Sequence, residues 1–226
     1  MPSWAGTSSR RRWAGRPAAE PVTRVLRRAR PSDAPAAAPL IFEAIPSIEI
    51  VLGDRRTALR AIEACFVAPR TELSNRFGMV AEWKGEVAGV AIAFPSRLFG
   101  SLKLGTGVVL ARTAGPRHAT ELVRRARVLD RMLPKVGPDD LYVSILAVGE
   151  PHRRRGVGSA LMERVLAGAE SLGLGVALHT AMDEPARRLY EGLGFRVVAA
   201  RETSATERKV VPVSGMLLME RPRVAG

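Results

Sequence analysis

One stretch, residues 141–159, constrains the fold of this chain more than any other part of the sequence. It begins with an apolar run that ends in Leu146-Ala147-Val148 and is typical of a buried strand. Three arginines and two glycines follow, and from Ser159 onward the apolar residues have helical spacing. Because the start of a helix leaves backbone N–H groups unpaired, this order of strand, Gly/Arg turn and helix predicts a turn that binds an anion.

Strands and helices alternate from there to the end of the chain. Apolar periodicity predicts a helix over 157–172, a strand over 176–180 and another over 195–200. Asp183-Glu184-Pro185 has the acidic cap and early proline that open a helix, and residues 216–219 form a last strand. The strands on either side of the 157–172 helix are therefore expected to be parallel, with a right-handed crossover.

The first half of the chain predicts a strand, two helices and then a hairpin. Residues 22–29 alternate apolar and basic side chains, and Asp33 is a candidate N-cap for a helix that runs towards Ile45. Residues 55–67 form a better amphipathic helix. Lys84-Gly85-Glu86 separates two apolar runs, 77–83 and 87–94, as a hairpin turn does.

Together these elements predict a single α/β domain, α+β in some schemes, over residues 22–222. Its mixed central sheet is expected to be flanked by helices. Residues 97–112 fit no single pattern, whereas 116–133 have a clear helical period. Residues 1–21 are rich in arginine, serine, glycine, alanine and proline, which predicts a disordered basic arm.

The formal net charge of +13 is unevenly placed, since residues 1–30 carry eight arginines against one acid. The arm could touch nucleic acid, but a solvated tail explains its charge more simply. Its Arg10-Arg11-Arg12 run lacks the apolar segment of an export signal, and no apolar run is long enough to span a bilayer. The expected location is cytoplasmic, with no membrane partner.

Cysteine and histidine usage bears on redox and metal chemistry. Cys65 is the single cysteine and lies on the apolar face of the 55–67 helix, where a small buried residue is a better interpretation than a nucleophile. One cysteine excludes a disulfide within the chain. Three dispersed histidines argue against a metal site, so no metal cofactor is expected.

Two short motifs occur in the second half of the chain. Arg153, Gly156 and Gly158 follow the 141–148 strand with the spacing Arg-x-x-Gly-x-Gly, and residues 183–195 read DEPARRLYEGLGF. Together they resemble the two signatures of the GNAT superfamily of acyl-CoA N-acyltransferases, in the family's order of elements. The resemblance covers residues 141–200 strongly and implies the GNAT fold with acetyl-CoA as the acyl donor.

The resemblance implies a role for each part of these motifs. The backbone of Leu146, Ala147 and Val148 would pair with the amides of the acetyl-pantetheine arm as an added strand does. Asp183 would contact the cofactor, and Tyr190 would protonate the departing CoA thiolate. The turn that would hold the pyrophosphate consists of Arg153, Arg154, Arg155, Gly156, Val157, Gly158 and Ser159.

Two positions depart from the family pattern. Asp183 stands where the family usually has Asn, and Arg154 stands where many members have Gly, which adds a charge that suits a phosphate. A base for the amine proton is not identified. For His179, at the end of its strand, a structural role is favoured over that of a base, and Glu150 and His152 lie in the turn.

The expected reaction is direct attack of a primary amine on the thioester of acetyl-CoA. N-terminal protein acetyltransferases carry a tyrosine-rich hairpin that residues 202–213 lack, and the long 97–138 segment could shape a pocket, so a small-molecule acceptor is expected. Protein N-terminal or lysine acetylation is the alternative among enzymes. Two alternatives are not enzymes: a nucleic-acid-associated module, and an acyl-CoA-sensing domain without turnover. The oligomeric state is left open, with a homodimer as one possibility.

Overall fold

The computed structural model describes residues 24–45, 47–115, 119–209 and 212–223. The strands in this part of the chain are β1 (Arg24–Arg28), β2 (Gly78–Trp83), β3 (Glu86–Pro95), β4 (Asp140–Val148), β5 (Gly175–Ala181), β6 (Arg196–Glu202) and β7 (Gly215–Arg221). The helices are α1 (Ala34–Ala44), α2 (Ser47–Leu52), α3 (Arg55–Val67), α4 (Phe99–Ala114), α5 (Ala119–Met132), α6 (Val157–Ser171) and α7 (Arg187–Gly192). The arm predicted over 1–21 lies outside the described residues.

The strands form one mixed sheet in the order β1-β2-β3-β4-β5-β7-β6. β4 and β5 are parallel and are connected through α6, while every other neighbouring pair is antiparallel. The predicted α/β class, the mixed sheet and the parallel pair around α6 are therefore confirmed.

Local sequence accounts for several element boundaries. Lys84 and Gly85 have φ angles of 53° and 84°, and two consecutive positive φ angles give the tight turn that suits a hairpin. Asp54 caps α3 by accepting a 2.9 Å bond from the Thr57 N–H. Asp33 stands at the N-cap of α1 without capping it, because its carboxylate accepts two 2.8 Å bonds from Arg27 instead. The carboxylate of Asp33 thus ties β1 to α1.

Three helices, α2, α4 and α5, occupy segments whose structure the sequence predicted only in part. A strand and two helices were expected, whereas the short helix α2 lies between α1 and α3. The ambiguous 97–112 segment is mostly α4, whose Leu102 packs with Phe94 and Tyr142. Met132 at the end of α5 packs against Val213 and Met216. The 97–138 segment thus covers one face of the sheet with two helices.

The two faces of the sheet have separate cores. On one face, Leu161 and Met162 of α6 pack with Val143 and Leu178. On the other, α1 and α3 pack on β3 and on the later part of β4, where Ile145 lies in their core. Burying these apolar side chains holds each layer of helices to the sheet.

The first turn of α6 lies close to β3 because Gly89 has no side chain. A Cβ there would be 3.0 Å from the Ala147 carbonyl oxygen and 3.1 Å from side-chain atoms of Val157 and Leu161. We expect Gly89→Ala to lower the free energy of unfolding by about 1–3 kcal/mol through overpacking. Gly168→Ala on α6 meets nothing within 4 Å and should raise it by about 0.5–1 kcal/mol. Urea unfolding measures both, and equal stabilities would contradict the close packing.

Candidate active site

β4 and β5 are hydrogen-bonded only over their first residues. Their register runs from the pair Asp140–Gly175 to the pair Val143–Leu178, and beyond that β4 pairs with β3 alone. The edge of β4 that faces β5 therefore has no strand partner as far as Val148, and the two strands diverge there. We call this opening the wedge.

A β-bulge at Ser144 marks the point where the wedge opens. The register between β3 and β4 passes from Ile92–Ile145 to Ala93–Val143, so Ser144 is an extra residue in β4. Val143 lies in the core below α6, whereas Ile145 lies in the core below α1 and α3. Before the bulge the odd-numbered side chains of β4 therefore face α6, and after it they face α1 and α3.

The turn after β4 has the geometry of an anion site. Arg154 and Gly156 have φ angles of 58° and 75°, and alternating left-handed residues turn successive backbone N–H groups towards one point. Gly156 is the N-cap of α6 and makes no side-chain cap. The N–H groups of the first turn, Val157 to Ser159, have no carbonyl partner within the helix, so they can bind an anion at its positive end.

The three arginines of the turn have different surroundings. Arg153 donates from Nε to the Val148 carbonyl at 3.0 Å and from its terminal nitrogen to Glu43 of α1 at 2.9 Å. The Arg155 guanidinium lies 5.7 Å from the ring centroid of Trp83. Arg154 is exposed and has no side-chain partner among the described residues. Arg154 and Arg155 are both exposed, and neither has an ion-pair partner among the described residues, so their charges are available to a ligand.

Tyr190 lies on α7 and is buried. Its ring packs edge-on against Phe195 with a centroid distance of 6.0 Å, and its hydroxyl makes no hydrogen bond to the described part of the chain. Burial raises the pKa of Tyr190 to about 12, and the Glu184 carboxylate adds to that rise. The phenol is therefore protonated at neutral pH and can donate a hydrogen bond or a proton.

The start of α7 corrects the expected helix boundary. Asp183-Glu184-Pro185 does not open the helix; α7 begins at Arg187, with Ala186 as its N-cap. Asp183-Glu184-Pro185 instead form turns that lead into α7, with a 3.1 Å bond from the Arg187 N–H to the Glu184 carbonyl. Asp183 is exposed there and lines an open depression of about 610 Å³ together with Met182, Glu184, Pro185, Arg187, Arg188 and Glu191.

Gly158 is the place where the motif segments meet. A Cβ at Gly158 would lie 3.4 Å from Leu189 Cδ2 and 3.6 Å from Val148 Cγ2. The end of β4, the first turn of α6 and the α7 helix with Tyr190 are therefore in contact around a residue that has no side chain. The structure thus brings together the open edge of β4, the turn over residues 153–159, which we call the anion turn, and the helix that carries Tyr190.

Both ring nitrogens of His179 have partners. Nε2 lies 2.8 Å from the Pro134 carbonyl oxygen and Nδ1 lies 3.0 Å from the Tyr142 hydroxyl. Because a carbonyl only accepts, Nε2 carries the proton and Nδ1 accepts from Tyr142. Burial lowers the pKa of His179, and the bond to Pro134 partly opposes that shift. This arrangement suits a structural role, in which His179 holds the segment after α5 to the sheet, better than it suits the role of a base.

The buried neutral His179 predicts a pH dependence of stability. The unfolded chain binds its proton near the ordinary pKa of 6.5, whereas the folded chain binds it only at lower pH. Stability should therefore be lost as pH falls below 6.5, by up to about 1.4 kcal/mol per pH unit. His179→Gln removes this contribution, so its unfolding free energy should fall less steeply over that range. Identical slopes in urea titrations would contradict the prediction.

Cys65, His152 and Glu150 are the remaining candidates, and the Nδ1 atom of His152 is buried without a hydrogen-bond partner among the described residues. Cys65 is fully buried, and burial raises the pKa of its thiol to about 12, as suits a packed residue rather than a nucleophile. His152 packs beside Trp83, and Glu150 is exposed in the turn. Within the described residues, no group of three or more His, Cys, Asp or Glu side chains could hold a metal ion. In that same part of the chain, no helix is long and apolar enough to cross a membrane.

Comparison with known proteins assigns this arrangement to a family. Residues 53–195 match the model of the acetyltransferase (GNAT) family. The chain belongs to the GNAT acetyltransferase family. A GNAT protein is an acyltransferase, and the family implies acetyl-CoA as the donor, which the turn, the open strand edge and Tyr190 fit. No curated protein sequence matched the chain.

Solved structures share the GNAT fold at low sequence identity. An N-acetyltransferase from Staphylococcus aureus Mu50 is 19% identical with a TM-score of 0.67, over 87% of this chain and 100% of that one. The ribosomal-protein-S18-alanine N-acetyltransferase from Escherichia coli is 17% identical with a TM-score of 0.52, over 90% and 97%. A GCN5-related N-acetyltransferase from Kribbella flavida is 20% identical with a TM-score of 0.51, over 88% and 97%.

The sequence did not indicate one contact of this GNAT site. The hydroxyl of Ser144, at the bulge, donates a 2.7 Å hydrogen bond to the backbone carbonyl of Glu72. Glu72 belongs to the segment between α3 and β2, and neither residue lies in a motif. Only the tertiary structure brings them together, so no local pattern could have identified the pair.

Proposed function

We propose that this protein transfers the acetyl group of acetyl-CoA to a primary amine of a small molecule. The observation that carries the proposal is the meeting at Gly158 of the open β4 edge, the first turn of α6 and the Tyr190 helix. These are the three parts that a CoA thioester needs: a strand edge for its amides, an anion turn for its pyrophosphate and a proton donor for its sulfur.

The donor would lie along the wedge. Backbone groups of β4 from Leu146 to Val148 would pair with the pantetheine amides, although the Val148 carbonyl already accepts a bond from Arg153. The pyrophosphate would be held by the N–H groups of Val157, Gly158 and Ser159, with the exposed Arg154 supplying charge. Asp183 lines the neighbouring depression and is the proposed outer contact.

The reaction would be a direct displacement. A neutral amine attacks the thioester carbonyl, the C–N bond forms and the C–S bond breaks. The nitrogen loses one proton to solvent, the thiolate takes a proton from the Tyr190 hydroxyl, and solvent restores the proton of Tyr190. Burial keeps Tyr190 protonated until the sulfur becomes negative, which is the condition for a useful general acid at this position.

Two helices favour a small acceptor over a protein chain. On the face of β4 opposite α6, α4 packs against Phe94 and Tyr142, and the end of α5 packs against Val213 and Met216. A folded protein would have to reach the wedge past both helices, whereas a small amine needs only a narrow passage. Acetylation of a protein N-terminus or lysine stays the alternative, and the cytoplasmic location and a homodimer stay predictions.

Thiol release tests the proposal. Purified protein is incubated with acetyl-CoA and a panel of small primary amines, and free CoA is followed with a thiol reagent. Release above the amine-free rate with at least one amine is expected, together with acetyl-CoA binding by calorimetry. Activity on peptides with no activity on small amines would reverse the choice of acceptor. No CoA binding would refute the proposal as a whole.

A further inference from the structure

A carboxylate that the proposed transfer does not yet use lies on the other side of β4 from Tyr190. Tyr142 and Val143 are neighbours on β4 and therefore point to opposite faces of the sheet. Val143 shares a core with Tyr190, whereas Tyr142 packs with α4. Burial raises the pKa of the Tyr142 phenol, and the charge of the nearby Glu72 carboxylate adds to that rise. The Glu72 side chain therefore lies on the α4 side of β4.

The backbone of Glu72 is held firmly at the wedge. Its carbonyl accepts the 2.7 Å bond from Ser144, the bulge residue at which β4 leaves β5. Its N–H donates a 3.0 Å bond to the Thr106 hydroxyl of α4. These two contacts hold the backbone of Glu72 against α4 and against Ser144, the residue at which the wedge opens.

The side chain of Glu72 has no ion-pair partner among the described side chains. Lys103 of α4 is near it, but Lys103 pairs with Asp130 of α5. Burial raises the pKa of Glu72, with Asp130 adding to the rise and Lys103 and Thr106 opposing it. Cys65, the remaining group that faces it, is a buried neutral thiol. A partly buried carboxylate without an ion-pair partner costs stability, and groups of this kind are concentrated at functional sites.

We propose that Glu72 binds the acceptor as an alkylammonium ion and takes its first proton. This inference rests on the proposed acetyl transfer. One proton passes from the ammonium to the Glu72 carboxylate, and the freed nitrogen attacks the carbonyl carbon as the C–S bond breaks. The second proton leaves the nitrogen to solvent as the amide forms, and Tyr190 protonates the thiolate. Glu72 then releases its proton to solvent, and solvent restores the proton of Tyr190.

The role assigned to Glu72 defines a substrate class. An alkylamine is almost entirely ammonium at neutral pH, so it needs both a negative partner and a proton acceptor. An arylamine of low basicity is already neutral and needs neither. The expected acceptor is therefore a basic alkylamine that presents its charged end to Glu72 through the gap beside Ser144.

The test compares the two amine classes in Glu72→Gln. We expect kcat/KM for an alkylamine to fall by about 100-fold, and that for an arylamine of low basicity by less than about threefold. Glu72→Asp should recover part of the alkylamine rate, and Glu170→Gln, an exposed residue of α6, should match the wild type. Acetyl-CoA affinity by calorimetry should not change in any variant.

A second readout separates a functional carboxylate from a structural one. Because the charged form of Glu72 is penalised by burial, Glu72→Gln should unfold at the same or a higher temperature than the wild type above pH 7. Equal losses with both amine classes, no loss with either, or a clear drop in unfolding temperature would each overturn the proposal. Absence of thiol release by the wild type with every amine would instead refute the acetyl transfer itself.

Discussion

Tyr190→Phe should lower kcat for acetyl transfer by about 100- to 1,000-fold, within the range that general acid catalysis contributes. The substitution removes only the hydroxyl, so the ring keeps its packing against Phe195. Without the phenol proton, the thiolate must leave unprotonated or wait for water. Steady-state kinetics with a saturating amine measures the loss, which should appear in kcat.

The affinity for acetyl-CoA provides the control for Tyr190→Phe. Its Kd should stay within about threefold of the wild type, because the hydroxyl stabilises the developing thiolate rather than the bound thioester. A rate equal to that of the wild type would show that Tyr190 is only a packing residue of α7. A fall in affinity that matches the fall in kcat would mean that the phenol holds the donor without acting on the leaving group.

Gly158→Asp should weaken acetyl-CoA binding by at least about 100-fold, because it adds a negative charge within the helix turn whose N–H groups would hold the pyrophosphate. Gly158→Ala is the matched control. Its Cβ would be at ordinary contact distance, 3.4 Å, from Leu189, and should change the affinity by no more than about threefold. Calorimetric titration of acetyl-CoA into each variant measures the difference.

The pair of Gly158 variants separates charge from bulk. If alanine weakens binding as much as aspartate does, the cause is crowding against Leu189 and Val148 rather than repulsion of an anion. If neither variant changes the affinity, the pyrophosphate is bound elsewhere and the anion turn has only a structural role. Both variants need an unfolding curve, because the first turn of α6 also packs against β3.

Elements set by local periodicity could be predicted from the sequence. α3 begins and ends at the expected residues, the β2–β3 hairpin turns at Lys84-Gly85, and α6 follows the Gly/Arg turn. In each case the signal lies within a few residues of the element, as a turn glycine, a cap or an apolar period. The predicted start of α7 was wrong because Asp183-Glu184-Pro185 form turns ahead of the helix, which begins at Arg187.

Parts of the site that depend on distant residues could not be predicted. The anion turn and Tyr190 lie in compact motifs, so the local sequence was enough to predict that both belong to the site. The bulge at Ser144 depends on how β3 pairs with β4, and Glu72 depends on where the α3–β2 segment crosses α4. Arg153 illustrates the same limit, since its partner Glu43 is 110 residues away.

The divergence of β4 from β5 has a mechanical consequence. It leaves two half-sheets, one from β1 to β4 and the other of β5, β7 and β6, hydrogen-bonded to each other only between Asp140–Val143 and Gly175–Leu178. A donor whose amides pair with β4 would fill the open end and add hydrogen bonds there. Departure of free CoA would then require breaking those hydrogen bonds, so we expect product release to be coupled to flexing of the two half-sheets.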